Sequence, residues 1–205
     1  LGGSCTGVFA AIRAARLVAR VIIVEKQNAF GGIATNGLVC TWSSMNNTEF
    51  TMQIIGGLTS EVLDRLSKRK AMRDSGRSLE AKKIYRSQEI KAFNPQELKI
   101  ELDELVLESG IQPYLHTYFS EPYLDDDNRL AGVIIDNKAG RGIIKANYFI
   151  DATGDGDLCY RLGLESYSGD LLQPPTTCAL FEGWDSDRFH SLLKLHGEEF
   201  NIPEG

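Results

Sequence analysis

Gly2-Gly3-Ser4-Cys5-Thr6-Gly7 runs straight into TGVFAAIRAARL (residues 6–17), and RVIIVEK (residues 20–26) follows after a short connection. Val8, Ile12 and Ala15 share one helical face while Arg13, Arg16 and Arg20 share another, which predicts an amphipathic helix. The β-branched run that follows is bounded by charges and reads as a strand buried on both faces, as in a parallel sheet. Glycine-rich turn, helix and parallel strand make two thirds of a βαβ unit, so the fold class is α/β with a doubly wound, Rossmann-like domain.

In a dinucleotide-binding turn the first glycine permits the bend, the second lets the backbone approach the pyrophosphate, and the third lets the helix pack closely. Gly2 and Gly7 occupy the first and third positions, and Ser4 stands at the second, small enough for the role and with a hydroxyl that can bond a phosphate oxygen. The anion would sit on the unsatisfied N–H groups at the helix N-terminus, favoured by the helix dipole. Glu25 lies 23 residues after Gly2, at the end of the strand, where an acid accepts hydrogen bonds from an adenosine ribose. NAD and FAD share both marks, so turn and acid leave the choice between them open.

The 205 residues, 42% hydrophobic and 24% charged, have the composition of a globular protein rather than a disordered chain, a collagen-like repeat or a disulfide-stapled miniprotein. A net charge of −6 argues against a nucleic-acid partner, which needs clustered Lys and Arg. Apolar runs such as residues 21–24 and 133–135 fall far short of the ~18 residues of a membrane span. Cys5, Cys40, Cys159 and Cys178 form no C-x-x-C pair, and His116, His190 and His196 are scattered, so no metal site is expected and the compartment reads as reducing, hence cytoplasmic. Because the chain opens on Leu1 in the turn itself, it reads as a fragment whose first strand, and any leader, would precede it.

Further along, Gly31-Gly32-Ile33-Ala34-Thr35-Asn36-Gly37 is a second glycine-rich loop, and Gly56-Gly57 a third break. Residues 60–89 read as a polar helical stretch with Val62, Leu63 and Leu66 as its apolar stripe. Residues 61–91 carry ten Lys/Arg against five Asp/Glu, read as a solvated face and loop, with an anionic-ligand role as the alternative. Asn94 and Pro95 start a helix that runs through Leu98, Leu102, Leu105 and Val106 to Gly110. Short strands follow at 113–119, 123–124, 130–137 and 142–146, a small antiparallel meander, and then an apolar strand at 148–151. Asp151, Asp155 and Asp157 do not make a calcium loop, since position 162 is Leu where Glu is needed.

Glu25-Lys26, the Gly31 to Gly37 loop, and Ile150-Asp151-Ala152-Thr153-Gly154-Asp155-Gly156-Asp157 together closely resemble the FAD-dependent oxidoreductase family with a glutathione-reductase-type FAD domain, related to the fumarate reductase flavoproteins. The resemblance extends over nearly the whole chain, including FNPQELKIELDELVLESGI (residues 93–111), similar to the family's helix leading into its inserted sheet. It implies FAD as cofactor, with Gly2, Ser4, Cys5, Thr6 and Gly7 at the pyrophosphate and Glu25 at the adenosine ribose, Lys26 beside it. It further implies that Gly31, Gly32, Ala34 and Thr35 pass by the pyrophosphate and flavin and that the Phe119 backbone meets adenine. Ala152, Thr153 and Gly154 would return the chain to the cofactor, and Asp155 would cap a helix or bond on the cofactor side. Gln173-Pro174-Pro175-Thr176-Thr177 resembles the opening of the family's substrate region, with no catalytic role assigned.

On this reading residues 1–163 form the FAD-binding domain, with a helical insertion at about 45–92, and residues 164–205 begin a truncated substrate domain. The function implied is hydride transfer between a small-molecule substrate and non-covalently bound FAD. Its alternatives are an NAD(P)-dependent dehydrogenase and a redox-inert FAD- or nucleotide-binding module. The catalytic acid or base and the oligomeric state stay open.

Overall fold

The structure, a computed structural model, describes residues 1–43, 45–47, 49, 51–73, 91–167, 169, 174–183 and 185–195. In chain order its elements are α1 (Cys5–Arg16), β1 (Ile22–Val24), a 3-10 turn (Gly32–Ala34), β2 (Thr41–Trp42), α2 (Leu58–Lys68), β3 (Met72–Arg73), β4 (Lys91–Phe93), α3 (Pro95–Glu108), β5 (Gln112–Tyr114), β6 (Tyr118–Leu124), β7 (Leu130–Asn137), β8 (Gly140–Lys145), α4 (Asp157–Arg161) and α5 (Ser186–Leu195). The fold is mixed α/β, with a small parallel sheet and two antiparallel ones among the described residues.

β1 pairs in parallel with β5, Ile23 opposite Pro113. On the other side of β1 the Gly2 N–H donates to the Val24 carbonyl at 2.8 Å, and the Ala152 N–H donates to the Leu1 carbonyl at 2.8 Å. The chain around Leu1 and Gly2 therefore lies between β1 and residue 152. Residues 148–151, expected as a strand, do not form one, although the Ile150 carbonyl accepts from the Leu1 amino group at 2.7 Å.

The strand expected at 113–119 divides in two. His116 takes φ 48°, and at that break the chain leaves the parallel sheet as β5 and enters the antiparallel meander as β6, with order β6-β7-β8. The separate strand expected at 123–124 is the end of β6. A second antiparallel sheet, β2-β4-β3, flanks the helices. The polar helix expected over residues 60–89 begins at Leu58 and ends at Lys68; of the expected stretch, residues 74–89 lie outside the described residues.

Two apolar clusters hold these layers. Val8 and Ile12 of α1, Val62 and Leu66 of α2, and Leu98, Leu102 and Leu105 of α3 form one, with Phe30 and Phe93. Val24, Val133, Ile135 and Leu158 form the other, which ties α4 and the meander to the end of β1. α3 starts as its sequence requires: the Asn94 side chain accepts from the Gln96 N–H at 2.9 Å, and Pro95 needs no partner in the first turn.

Part of the basic run serves helix packing. Glu101 of α3 is only 3% exposed, yet its carboxylate meets Arg65 at 3.3 Å and also Arg69, both on or just after α2. Arg69 reaches Glu104 at 2.6 Å as well, and Arg16 of α1 pairs with Glu61 at 2.7 Å. Arg65 and Arg69 are thereby bound to carboxylates of α3, which corrects the reading of them as solvated charges. Glu101→Ala should lower unfolding stability by about 1–3 kcal/mol, because two partly covered guanidinium groups lose their acceptor. Urea denaturation measures this, and an unchanged midpoint would show that the ion pairs contribute nothing.

Candidate functional site

The site begins at the glycine turn. Gly2 takes φ +87°, and a Cβ on it would lie 2.2 Å from the Ala152 carbonyl oxygen. On Gly7 a Cβ would lie 1.9 Å from the Gly2 carbonyl oxygen and 3.3 Å from the Ala152 Cβ. Only glycine allows this approach. Between them Ser4 caps α1, its Oγ accepting from the Gly7 N–H at 3.4 Å. The first turn of α1 has no acidic residue and the last has Arg13 and Arg16, so the positive end of the helix dipole is not neutralised where the turn presents it.

Glu25 sits at the end of β1, 8% exposed. Its Oε2 accepts from the Gly3 N–H at 2.6 Å and its Oε1 from the Gln27 N–H at 2.8 Å. Each oxygen keeps a further lone pair for a hydroxyl donor. Lys26 next to it is exposed. The Thr117 N–H donates to the Glu25 carbonyl at 3.0 Å, which brings the start of β6 to the same end. There the half-buried Phe119 packs against the cluster of Val24 and lies opposite Ile135.

The second glycine loop runs beside the first. The Gly31 N–H donates to the Gly3 carbonyl at 2.8 Å, and Gly31 forms a bridge with Ser4. Ala34 and Thr35 point inward: Thr35 is fully buried, and its hydroxyl donates to the Phe30 carbonyl at 2.7 Å. That leaves the glycine backbone, not these two side chains, on the side of the turn.

Across from α1, Asp151 organises the Ala152-Thr153-Gly154 turn. Its Oδ1 accepts from the Thr153 N–H at 3.1 Å and from the Thr153 hydroxyl at 2.7 Å, and its Oδ2 from the Leu158 and Cys159 N–H groups, both at 3.0 Å. The Thr153 Oγ1 in turn accepts from the Asp157 N–H at 2.9 Å. Partial burial opposes the charge, but the bonds from Cys159 and Thr153 hold the Asp151 carboxyl below the usual carboxylate range. Asp155, expected as a possible cap, is exposed, and α4 is capped by Asp151 and Thr153 instead. No local pattern announces this, since the acid stands six residues before the helix while the residue preceding it is Gly156.

Between α1 and this turn lies a cleft of about 360 Å³, lined by Ser4, Thr6, Asp151, Ala152, Gly154, Gly156 and Cys159. Its volume suits part of a dinucleotide rather than a whole one. Of the residues expected at the cofactor, the structure brings Ser4, Thr6, Ala152 and Gly154 to the cleft wall, and Gly2 and Gly7 behind it. Glu25, Lys26 and Phe119 gather at the end of β1. Asp151, Gly156 and Cys159 line the cleft without having been singled out. Among the described residues no group of three or more His, Cys, Asp or Glu is placed to hold a metal ion, and no helix is long and apolar enough to cross a membrane.

The chain belongs to the FAD dependent oxidoreductase family, whose family model matches residues 1–199. It is similar in fold to THI4 of Thermovibrio ammonificans (18% identity, TM-score 0.52, 78% of this chain and 58% of that one). A geranylgeranyl bacteriochlorophyll reductase-like protein of Thermoplasma acidophilum (15%, 0.54, 80% and 41%) and L-proline dehydrogenase of P. horikoshii (16%, 0.50, 81% and 55%) are similar too. This chain thus spans 41–58% of the length of those three. The comparison with curated proteins finds no match. FAD is the family's cofactor, which decides the choice that turn and acid left open. The close backbone approach at Gly2 and Gly7, which seats α1 behind the cleft wall, and the absence of an acidic residue in the first turn of α1 both fit such an anion-bearing cofactor.

Burial pushes the thiol of Cys5, at the start of α1, up to about 11. Near neutral pH it stays protonated and packs as a small apolar side chain rather than acting as a nucleophile. Iodoacetamide at pH 8 should therefore modify the exposed Cys178 well before Cys5, as peptide mass spectrometry would report; equal rates would contradict the buried setting.

Proposed function

We propose that this chain is the cofactor-holding part of a flavoenzyme that passes a hydride between a small-molecule substrate and non-covalently held FAD. The observation that carries the reading is the meeting, across one cleft, of an acid-free helix N-terminus and the residue 152–154 turn, with the buried Glu25 carboxylate at the end of the adjoining strand. When bound, FAD supplies the hydride chemistry at its isoalloxazine ring. The chain's own residues bind and orient it.

In this proposal the amides of residues 4–7 take the pyrophosphate, with the Ser4 hydroxyl beside them, while Cys5 packs behind. Glu25 accepts from the adenosine ribose hydroxyls with the lone pairs that Gly3 and Gln27 leave free. Lys26 flanks the adenosine, the Phe119 backbone meets adenine, and the backbone of Gly31 and Gly32 borders the cofactor. Ala34 and Thr35 act from behind by shaping that loop. Ala152, Thr153 and Gly154 form the opposite wall, and Asp155, exposed at its rim, is free to bond toward the cofactor. Residues 1–163 make up this FAD-binding unit and residues 164–205 begin the substrate side; Pro174, Pro175, Thr176 and Thr177 are exposed there and Gln173 lies outside the described residues. The antiparallel meander between β5 and the 152–154 turn supports FAD over a nicotinamide dehydrogenase, whose strands and helices would alternate. Four free, scattered cysteines support a reducing, cytoplasmic setting.

Adding FAD to the purified whole protein should give a yellow complex whose visible band bleaches with a suitable donor. A colourless protein would overturn the reading, and a yellow one that no donor reduces would favour a redox-inert module. Glu25→Ala should weaken FAD binding by about 1–3 kcal/mol through loss of charge-assisted hydrogen bonds. Flavin fluorescence titration measures this, and an unchanged dissociation constant would remove Glu25 from the site.

A further inference from the structure

We propose that Asp151 is a positioning residue of the cofactor cleft: its carboxylate fastens the residue 152–154 wall to the first turn of α4 and so sets that wall against the N-terminus of α1. The inference rests on the reading of the cleft as the FAD site.

Four N–H and O–H donors converge on Asp151, the Thr153 N–H and hydroxyl on one oxygen and the Leu158 and Cys159 N–H groups on the other, and the Cys159 thiol bonds the same carboxylate. An ionised carboxylate offers acceptors only, so it satisfies all four; an amide of the same shape would turn its NH₂ toward two donors. α4 has no cap of its own, since Gly156 precedes it in the left-handed conformation with no side chain to offer. Its first three amides are instead taken by Thr153, for Asp157, and by Asp151, for Leu158 and Cys159. Those amides are therefore committed within the protein, whereas at α1 the Ser4 side chain takes the Gly7 N–H and the cleft lies against Ser4 and Thr6.

The same clasp reaches the core on one side and the glycine turn on the other. Leu158, whose N–H Asp151 holds, is buried against Val24 and Val133. Ala152, which follows Asp151 directly, donates to the Leu1 carbonyl at 2.8 Å, and its own carbonyl stands where a Cβ on Gly2 would be. A shift of the turn would thus move the wall that faces Ser4 and Thr6.

The test compares the whole protein with its Asp151→Asn, Thr153→Val and Thr153→Ser variants. Asp151→Asn keeps the shape and loses acceptors; Thr153→Val keeps the shape and loses the hydroxyl that bridges Asp151 and Asp157. We expect Asp151→Asn to bind FAD about ten- to a hundredfold more weakly. At saturating FAD its visible circular dichroism should differ from that of the parent, while its far-ultraviolet spectrum stays the same. Hydrogen exchange should quicken at the Thr153, Leu158 and Cys159 amides but not within α3. Thr153→Val should share these changes in weaker form, and Thr153→Ser should recover most of what it loses. Parent-like affinity, flavin spectrum and exchange in Asp151→Asn would overturn the proposal. Should that variant fail to fold, a Thr153→Val protein indistinguishable from the parent would overturn it instead. Failure of the parent itself to bind FAD would strike the functional reading, and unaltered exchange in Asp151→Asn would then count separately against the clasp.

Discussion

Everything around the cleft depends on one close approach of backbone to backbone. The α-carbon of Gly7 lies so near the Gly2 carbonyl that a single added carbon would stand 1.9 Å from its oxygen, and Gly2 is pressed as tightly on the Ala152 carbonyl. Those two contacts decide how far α1 sinks toward the parallel sheet, and with it where its first amides stand. They also bind together the start of the chain and residue 152, remote in sequence, so that the two walls of the cleft are parts of one packed unit. Val8 and Ile12 on the inner face of α1 can reach Leu98 and Leu102 of α3 only because the turn lets the helix lie this low.

The charges are arranged around that constraint. The first turn of α1 carries no acidic residue of its own, whereas α4 spends its positive end on Asp151. Of the two helix starts beside the cleft, one is left for an anion and the other is used to hold the wall. Glu25, buried at the end of β1, accepts from the Gly3 and Gln27 N–H groups, so the backbone on both sides positions its carboxyl group. The Glu101 network serves to join α2 to α3.

The sequence made legible those features that rest on local pattern. The turn, α1 and β1 follow from spacing within a single stretch, and α3 from its Asn94 cap and apolar stripe. Glu25 stood out because a strand end fixes where an acid must be. Features that rest on contacts distant in the chain were not legible. Arg65 and Arg69 looked like solvated charges because Glu101 comes more than thirty residues later. β2, β3 and β4 are two or three residues long, too short for an alternating pattern. The break in the single strand expected at 113–119 falls at His116, where no glycine marks the left-handed turn. Thr35 belongs to the loop expected to pass by the cofactor, and the inward turn of its hydroxyl to Phe30 is a direction that composition does not encode. In the sequence Asp151 is one of three nearby acids, and its hydrogen bonds to Leu158 and Cys159 depend on how the turn folds back.

The central claim is that α1, Glu25 and the residue 152–154 turn hold one FAD molecule between them. A crystal structure of the whole protein with FAD bound tests this most directly. It should show pyrophosphate oxygens within hydrogen-bond reach of the amides of residues 4–7 and ribose hydroxyls on the Glu25 carboxylate. A pyrophosphate lying away from the start of α1, with Glu25 still bonded only to Gly3 and Gln27, would contradict it.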